Sequence, residues 1–282
     1  MASTTAAVPT PPESATAKSG TTTVILYAFE KHANTPSASG YCQKIENYFR
    51  FAGVPYNQAD ALPFGAPKKK LPYASIDGVV VPDSQFIIRH LKQHGIADLD
   101  KTVGLTPTQI AESLAFRGLW EEGIYPAVVR SRWFSKQNEP IIAHEVFGDI
   151  PVLFRIPLRW WFRRNFAKQL NMQGIGRHTD AEVDLILREA LEALEVRLTP
   201  TATSTTAVPW FHNTPTPSDI DAVLSAMLIN ILGTESNPFC KDIVLKSKVL
   251  RGYVKLVVEM YFPEFAKILG EIKAAEGGDG LL

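Results

Sequence analysis

A hydroxyl and a thiol stand three positions apart in Ser39-Gly40-Tyr41-Cys42. The four residues lie where the small-residue loop of "NTPSASGYCQKIENYF" gives way to a helical pattern. A helix N-terminus offers free N–H groups and partial positive charge, and a hydroxyl there can donate to sulfur. Either effect draws a thiol, whose pKa is ordinarily about 8.5, toward the thiolate. The stretch can therefore bring a small thiol against Ser39, or it can be a plain loop before a structural helix. Thr35, Ser37 and Tyr41 compete with Ser39 for the thiol-facing role. Cys42 lies one turn into the helix, where a thiol more often packs inward than reacts. Tyr27, inside an apolar strand run, reads as core.

The remaining inventory mostly excludes. Cys42 and Cys240 lie far apart with no CxxC pair, which argues against a disulfide framework and for a reducing, cytoplasmic setting. His90 and His94 share a helical face, but no HExxH or cysteine accompanies them, so no metal site is expected. Lys and Arg number 29, as do Asp and Glu, and this balance removes the global electrostatic case for a nucleic-acid binder. No run reaches the roughly 20 apolar residues of a membrane span. The first 22 residues are rich in Ser, Thr, Ala and Pro without an apolar core, and are expected to be a disordered tail.

The elements that must position these groups follow from periodicity. "VILYAF", Val24 to Phe29, reads as a strand buried on both faces. Tyr41, Ile45, Tyr48, Phe49 and Ala52 recur at helical spacing up to Gly53, and "VPYNQAD" suits a short second strand. Tyr73 to Ile76 and Val79 to Val81 flank Asp77-Gly78, a hairpin signal. Asp83 or Ser84 caps a helix with Phe86, Ile87 and Leu91 on its apolar face. Beyond Leu105 only helices are expected. Thr106-Pro107, Thr179-x-x-Glu182 and Ser218-x-x-Asp221 mark helix starts, the last before a nearly all-apolar helix.

A β-α-β-β-β-α-like unit followed by a helical domain resembles the glutathione transferase architecture, over about residues 23 to 265. Leu71-Pro72 stands just before a strand, where thioredoxin-like folds carry a cis-proline. Asp83-Ser84 opens the next helix, and Ser218-x-x-Asp221 matches the capping box of the helical domain. "KLPYASIDGVVVPDSQFIIRHL", "WEEGIYPAVVRSRW" and "RRNFAKQLNMQGIGRHTDAEV" are similar to the branch containing failed-axon-connections proteins and metaxins.

That resemblance implies a thioredoxin-like domain over 23–95, an all-helical glutathione transferase C-terminal domain over 105–270 and a flexible tail over 271–282. It implies glutathione as co-substrate. Leu71 and Pro72 would meet the cysteinyl backbone, while Asp83 and Ser84 would hold the γ-glutamyl end. Ser39 would be catalytic, with Gly40 where relatives usually have proline. It further implies a small hydrophobic electrophile, walled by Trp120, Tyr125 and Trp133, and a homodimer. Arg117 and Arg130 could meet an anionic substrate, against a plain solvated face. Metaxins imply a different outcome: a non-catalytic interaction or membrane-associated protein at the mitochondrial outer membrane.

One segment bears on that choice. "PVLFRIPLRWWFRRNFAK", Pro151 to Lys168, sets Arg155, Arg159 and Arg163 at four-residue steps beside Trp160, Trp161 and Phe162. It reads first as an amphipathic helix docked on its domain with snorkelling arginines, and second as a membrane contact. "PKKK" at Pro67 to Lys70 reads as a solvated loop.

Overall fold

The computed structural model describes residues 22–31, 34–148, 150–200 and 210–278. All but the last residue of the expected N-terminal tail lies outside the described residues. Strand β1 (Val24–Ala28), helix α1 (Gly40–Phe51), β2 (Asn57–Asp60), β3 (Tyr73–Ile76), β4 (Val79–Pro82) and α2 (Ser84–Gln93) form the first unit. Its sheet has the order β2-β1-β3-β4, with β1 parallel to β2 and antiparallel to β3. The sheet is therefore mixed. β1 alternates buried and half-buried residues rather than being buried on both faces. Val24, Leu26 and Ala28 join the core with Ile45 and Phe49 of α1 and Ile87 of α2. Tyr27 points the other way and stacks on Tyr73, with ring centroids 4.4 Å apart.

The β3–β4 hairpin turns at Asp77 (φ 49°) and Gly78 (φ 84°), both left-handed, as a two-residue turn matched to strand twist requires. The Leu71-Pro72 peptide is cis. After the short α3 (Leu99–Thr102), α4 (Pro107–Gly118) runs through a π-helical turn (Leu119–Ile124) into α5 (Tyr125–Phe134). There follow α6 (Glu139–Phe147), α7 (Val152–Gln173), α8 (Asp180–Leu198), α9 (Asp219–Gly233), α10 (Pro238–Lys246), α11 (Lys248–Tyr261) and α12 (Ala266–Gly278). Order thus continues past residue 271, where a flexible tail was expected, because buried Ile268 and Ile272 pin α12 to the helical core. The capping boxes at Thr106, Thr179 and Ser218 are all formed.

Helix α9 is the hub. Every residue from Ile220 to Leu232 is buried. Most of its side chains enter the core of the helical domain, and Ala222 joins the core of the first unit. Its contact with α1 is partly polar. The Asn47 side-chain amide meets the Gln43 amide at 2.9 Å and the Ser225 hydroxyl at 2.8 Å. Gln43 Oε1 accepts from the Ser37 N–H (2.9 Å), and Asn230 Nδ2 donates to the Ser37 carbonyl (2.7 Å). Two glycines let the backbones approach. A methyl group at Gly40 would sit 2.7 Å from Met227 Sδ, and one at Gly233 only 2.1 Å from Pro36 Cγ. Gly40 is accordingly a close-approach residue, and the loop before it is tied to α9 rather than slack.

Helix α7 departs from its expected docking. Phe162 and Leu170 are buried, but most of the residues between Val152 and Trp161 are exposed.

Gly233→Ala is expected to destabilise the protein by about 1–3 kcal/mol, since Pro36 is rigid and the overpacking has no flexible side chain to absorb it. Chemical denaturation measures this; an unchanged midpoint would mean that the α9–loop contact yields freely.

Candidate functional site

The site is built around the N-terminus of α1. Ser39 caps the helix. Its Oγ accepts from the Cys42 N–H at 3.4 Å, and its own N–H donates to Ser37 Oγ at 3.2 Å. At 9 % exposure it sits on the wall of a cavity of about 240 Å³ that the two domains share. The helical domain supplies most of the apolar wall, including Val129, Trp133, Ile142 and Phe162, and Leu62 adds to it from the first unit. Of the aromatic residues expected to wall a substrate, Tyr125 and Trp133 do so, whereas Trp120 is core. The π-helical turn sets the phase of this wall, because it rotates α5 relative to α4.

Cys42 is fully buried. Burial pushes its thiol up to about 11, against the opposing pull of the Ser39 hydroxyl and the Phe29 N–H. It is a packing residue of the first core, as its position one turn into the helix implied. Tyr41 is also turned away from a thiol-facing role. Its hydroxyl donates to the Glu121 carbonyl (3.0 Å), its ring lies edge-on to Tyr125, and burial raises its phenol.

The other expected residues collect at one end of β3 and β4, outside the cavity wall. The Asp83 N–H donates to the Pro72 carbonyl at 3.2 Å, which holds the cis-proline turn against the start of α2. Among the described residues no backbone group bonds the Leu71 N–H or carbonyl. Asp83 is exposed and caps α2 through Oδ1, which accepts from the Gln85 and Phe86 N–H groups. Its φ of 82° is a backbone conformation that a side chain adopts at a cost. Ser84 is buried, and among the described residues neither its N–H nor its hydroxyl has a hydrogen-bond partner. The charge of Asp83 is felt at Tyr41 and Lys44, so this end faces the first turns of α1.

Sequence reasoning missed two residues, Lys44 and Arg132, and the free hydroxyl of Tyr125. Lys44 is fully buried and reaches Glu121 Oε1 (2.6 Å) and Gln85 Oε1 (3.0 Å). Burial lowers its pKa and the Glu121 carboxylate opposes that. The pair ties α1 and α2 to the helical domain. Its signal was a lysine on the Tyr41–Ile45–Tyr48 face of an amphipathic helix. Arg132 lines the cavity and is buried, which disfavours its charge. It donates to Asn230 Oδ1 (2.7 Å) and Thr234 Oγ1 (2.9 Å), with no carboxylate within ion-pair distance among the described residues. The Tyr125 hydroxyl has no hydrogen-bond partner among the described residues, and burial raises its phenol to about 12, so it stays a donor. Arg117 and Arg130 do not line the shared cavity. The first lies beside Glu121, and the second pairs with Asp180 at 2.9 Å.

A thioredoxin-like unit with a cis-proline beside its second helix, joined through a shared cavity to an all-helical domain, defines the architecture of glutathione transferases. The chain belongs to the glutathione S-transferase superfamily. A family model for the glutathione S-transferase N-terminal domain matches residues 40–138. An isoprene-epoxide–glutathione S-transferase of Rhodococcus sp. (strain AD45) is 32% identical over 179 residues, 61% of this chain and 74% of that protein. Failed axon connections of Drosophila melanogaster is 26% identical over 260 residues, 87% of this chain; the chain spans 59% of that protein's length. Metaxin-1 of Mus musculus is 24% identical over 245 residues, 84% of this chain and 75% of that protein. Among solved structures, a glutathione transferase from Phanerochaete chrysosporium superposes with a TM-score of 0.51 at 13% identity, covering 89% of this chain and 96% of that one. That likeness is one of fold. No helix among the described residues is long and apolar enough to cross a membrane.

Both cysteines, Cys42 and Cys240, are buried, with thiols raised to about 11 and about 12 by burial. At pH 8 neither is expected to react with a thiol reagent until the protein is unfolded. Rapid labelling of Cys42 in the native state would return it to the list of candidate nucleophiles.

Proposed function

We propose that the chain is a glutathione-dependent transferase that conjugates the tripeptide to a small apolar electrophile, or uses it to isomerise or reduce one. The observation that carries this is the single cavity in which Ser39, at the N-terminus of α1, meets an apolar wall from the helical domain. Ser39 would donate its hydroxyl to the glutathione thiolate, helped by the helix dipole. The unbonded backbone of Leu71, next to Pro72, would pair with the cysteinyl unit as a short antiparallel strand. The free N–H and hydroxyl of Ser84 would hold the γ-glutamyl carboxylate at the start of α2, and the exposed Asp83 carboxylate would meet its ammonium.

Tyr125 completes the reading from the electrophile side. The Rhodococcus relative is named for an epoxide, a small apolar electrophile. On such a substrate the thiolate sulfur attacks carbon, the C–O bond breaks, and the oxygen gains a proton. The unpartnered Tyr125 phenol could supply a hydrogen bond to that oxygen. A homodimer is proposed through the outer face of β4 and α2, where Val79, Val80 and Phe86 are exposed. A cytoplasmic protein follows from the same reading.

The second reading is a non-catalytic, metaxin-like interaction protein at the mitochondrial outer membrane. It is favoured by the buried Lys44–Glu121 pair, a structural ionic tie between α1 and the helical domain.

Calorimetry with glutathione separates the two readings, since the absence of measurable binding sinks the transferase. Ser39→Ala is expected to lower turnover by about tenfold or more while the glutathione Kd moves less than about twofold. Tyr125→Phe is expected to slow an epoxide by a similar factor and to leave an aryl halide, whose leaving group takes no proton, nearly unchanged. Equal loss on both substrates would remove Tyr125 from the oxygen. Phe86→Glu is expected to halve the mass seen by light scattering; a wild-type chain that is already monomeric would refute the dimer.

A further inference from the structure

The first half of α7 is an apolar helix that the fold leaves uncovered. Leu153 is 79% exposed, Ile156 65% and Trp160 62%. With Val152 they fall within about 100° of helical arc, the width of a face that ordinarily packs on a core. The core is reached through Phe162 and Leu170, and on the flank that carries Trp161 the helix meets Phe64, whose ring lies 4.6 Å from that of Trp161. Phe64 and Leu62 are themselves exposed and come from the loop that leads to Lys68, Lys69 and Lys70. Phe64 therefore adjoins α7 at Trp161, beside the exposed face rather than on it. A soluble monomer rarely leaves so large a patch without a purpose.

Charge says what covers it. From Pro151 to Thr179 the chain has no Asp or Glu, and from Ala61 to Ile76 it again has none. The cations are Arg155, Arg159, Arg163, Arg164 and Lys168 on α7, with Lys68 to Lys70 on the loop. Glu139 takes Arg159 and Arg163. Arg155, Arg164 and Lys168 have no acidic partner among the described residues, and the Arg164 guanidinium lies over the Trp160 ring at 5.6 Å. An apolar stripe containing tryptophan and edged by unpaired cations is matched by an acyl-chain boundary beneath anionic headgroups. A protein partner of this size would have to be uniformly acidic around an apolar centre. A second copy of this chain would bring the same cations together.

We infer that the Val152–Trp160 face of α7 is a peripheral membrane-binding surface for anionic phospholipid. The helix lies in the headgroup plane with Leu153, Ile156 and Trp160 inserted and Arg155, Arg164 and Lys168 at phosphate level. Each basic group near such a surface contributes about 1 kcal/mol and each is screened by salt, so binding is steeply salt-dependent. None of these residues touches Ser39, Leu71 or Ser84, and the surface does not require that the cleft be catalytic.

The test is flotation of the full chain with vesicles of phosphatidylcholine alone and of phosphatidylcholine with about one-third phosphatidylserine. The expected result is flotation with the anionic vesicles only, reversed by high salt. Leu153→Glu, at an exposed position where the fold is unaffected, should lower the partition coefficient by about tenfold or more, as should the double change Arg155→Glu with Arg164→Glu. Circular dichroism of each variant confirms that it is folded. Equal binding to neutral vesicles, or flotation that survives both changes, overturns the inference. So does the absence of flotation together with a concentration-dependent dimer that Leu153→Glu dissolves, which would make the face a contact between copies.

Discussion

The structure depends on the seam between α1 and α9. Ser37, Gln43, Asn47, Ser225 and Asn230 form a buried run of amide and hydroxyl groups. Each is satisfied by another, and two of the bonds, Asn47 to Ser225 and Asn230 to Ser37, cross the seam, so the run costs little when complete and much when one member is lost. Its lower end passes to Asp221, whose carboxylate also accepts from the Phe211 N–H, the Ser218 N–H and the Tyr253 hydroxyl. Burial raises the pKa of that carboxylate and these donors oppose the rise. The loop before α1 is thus held by the helical domain. The position of Ser39 is set from outside its own unit.

This seam explains why the site lies where it does. Domains that meet only through apolar surface can slide, whereas directional hydrogen bonds fix a register. Gly40 and Gly233 bring the backbones close enough for those bonds to form. A second, ionic tie, Lys44 to Glu121, lies one turn on from Gly40. The shared cavity opens between the loop before α1 and helices α5, α6 and α7. Tyr125 lines it from the start of α5.

The elements were largely legible in the sequence because their signals are local. Asp77-Gly78 demands a two-residue turn, and Ser218-x-x-Asp221 satisfies its own orphan N–H groups. The apolar run after it could only be a buried helix. The burial of β1 was misread, since a continuous apolar run does not reveal that one face is only half covered. The π-helical turn left no mark, because "LWEEGIY" has the same composition as an ordinary helix. At the site, Ser39, Leu71, Pro72, Asp83 and Ser84 were visible as positions, but their exposure and free hydrogen-bonding groups were not. Arg132 and Lys44 were hidden for a common reason. A cation on an apolar face is recognised only when the neutral acceptors or the carboxylate that receive it, distant in sequence, are placed beside it.

Helix α7 shows the limit of periodicity from the other direction. Its first half is apolar or basic around the whole circumference, so periodicity alone marks no single inward face. Phe162 and Leu170 are enough to anchor it, and Glu139 fixes two of its arginines. These contacts hold the second half and leave the first half free of the domain that carries it. A helix under pressure only to complete the fold would place polar side chains on that free half. Val152, Leu153, Ile156 and Trp160 instead spend about 100° of arc on apolar surface that no described residue buries. The constraint on those residues lies outside the chain, in whatever the face meets.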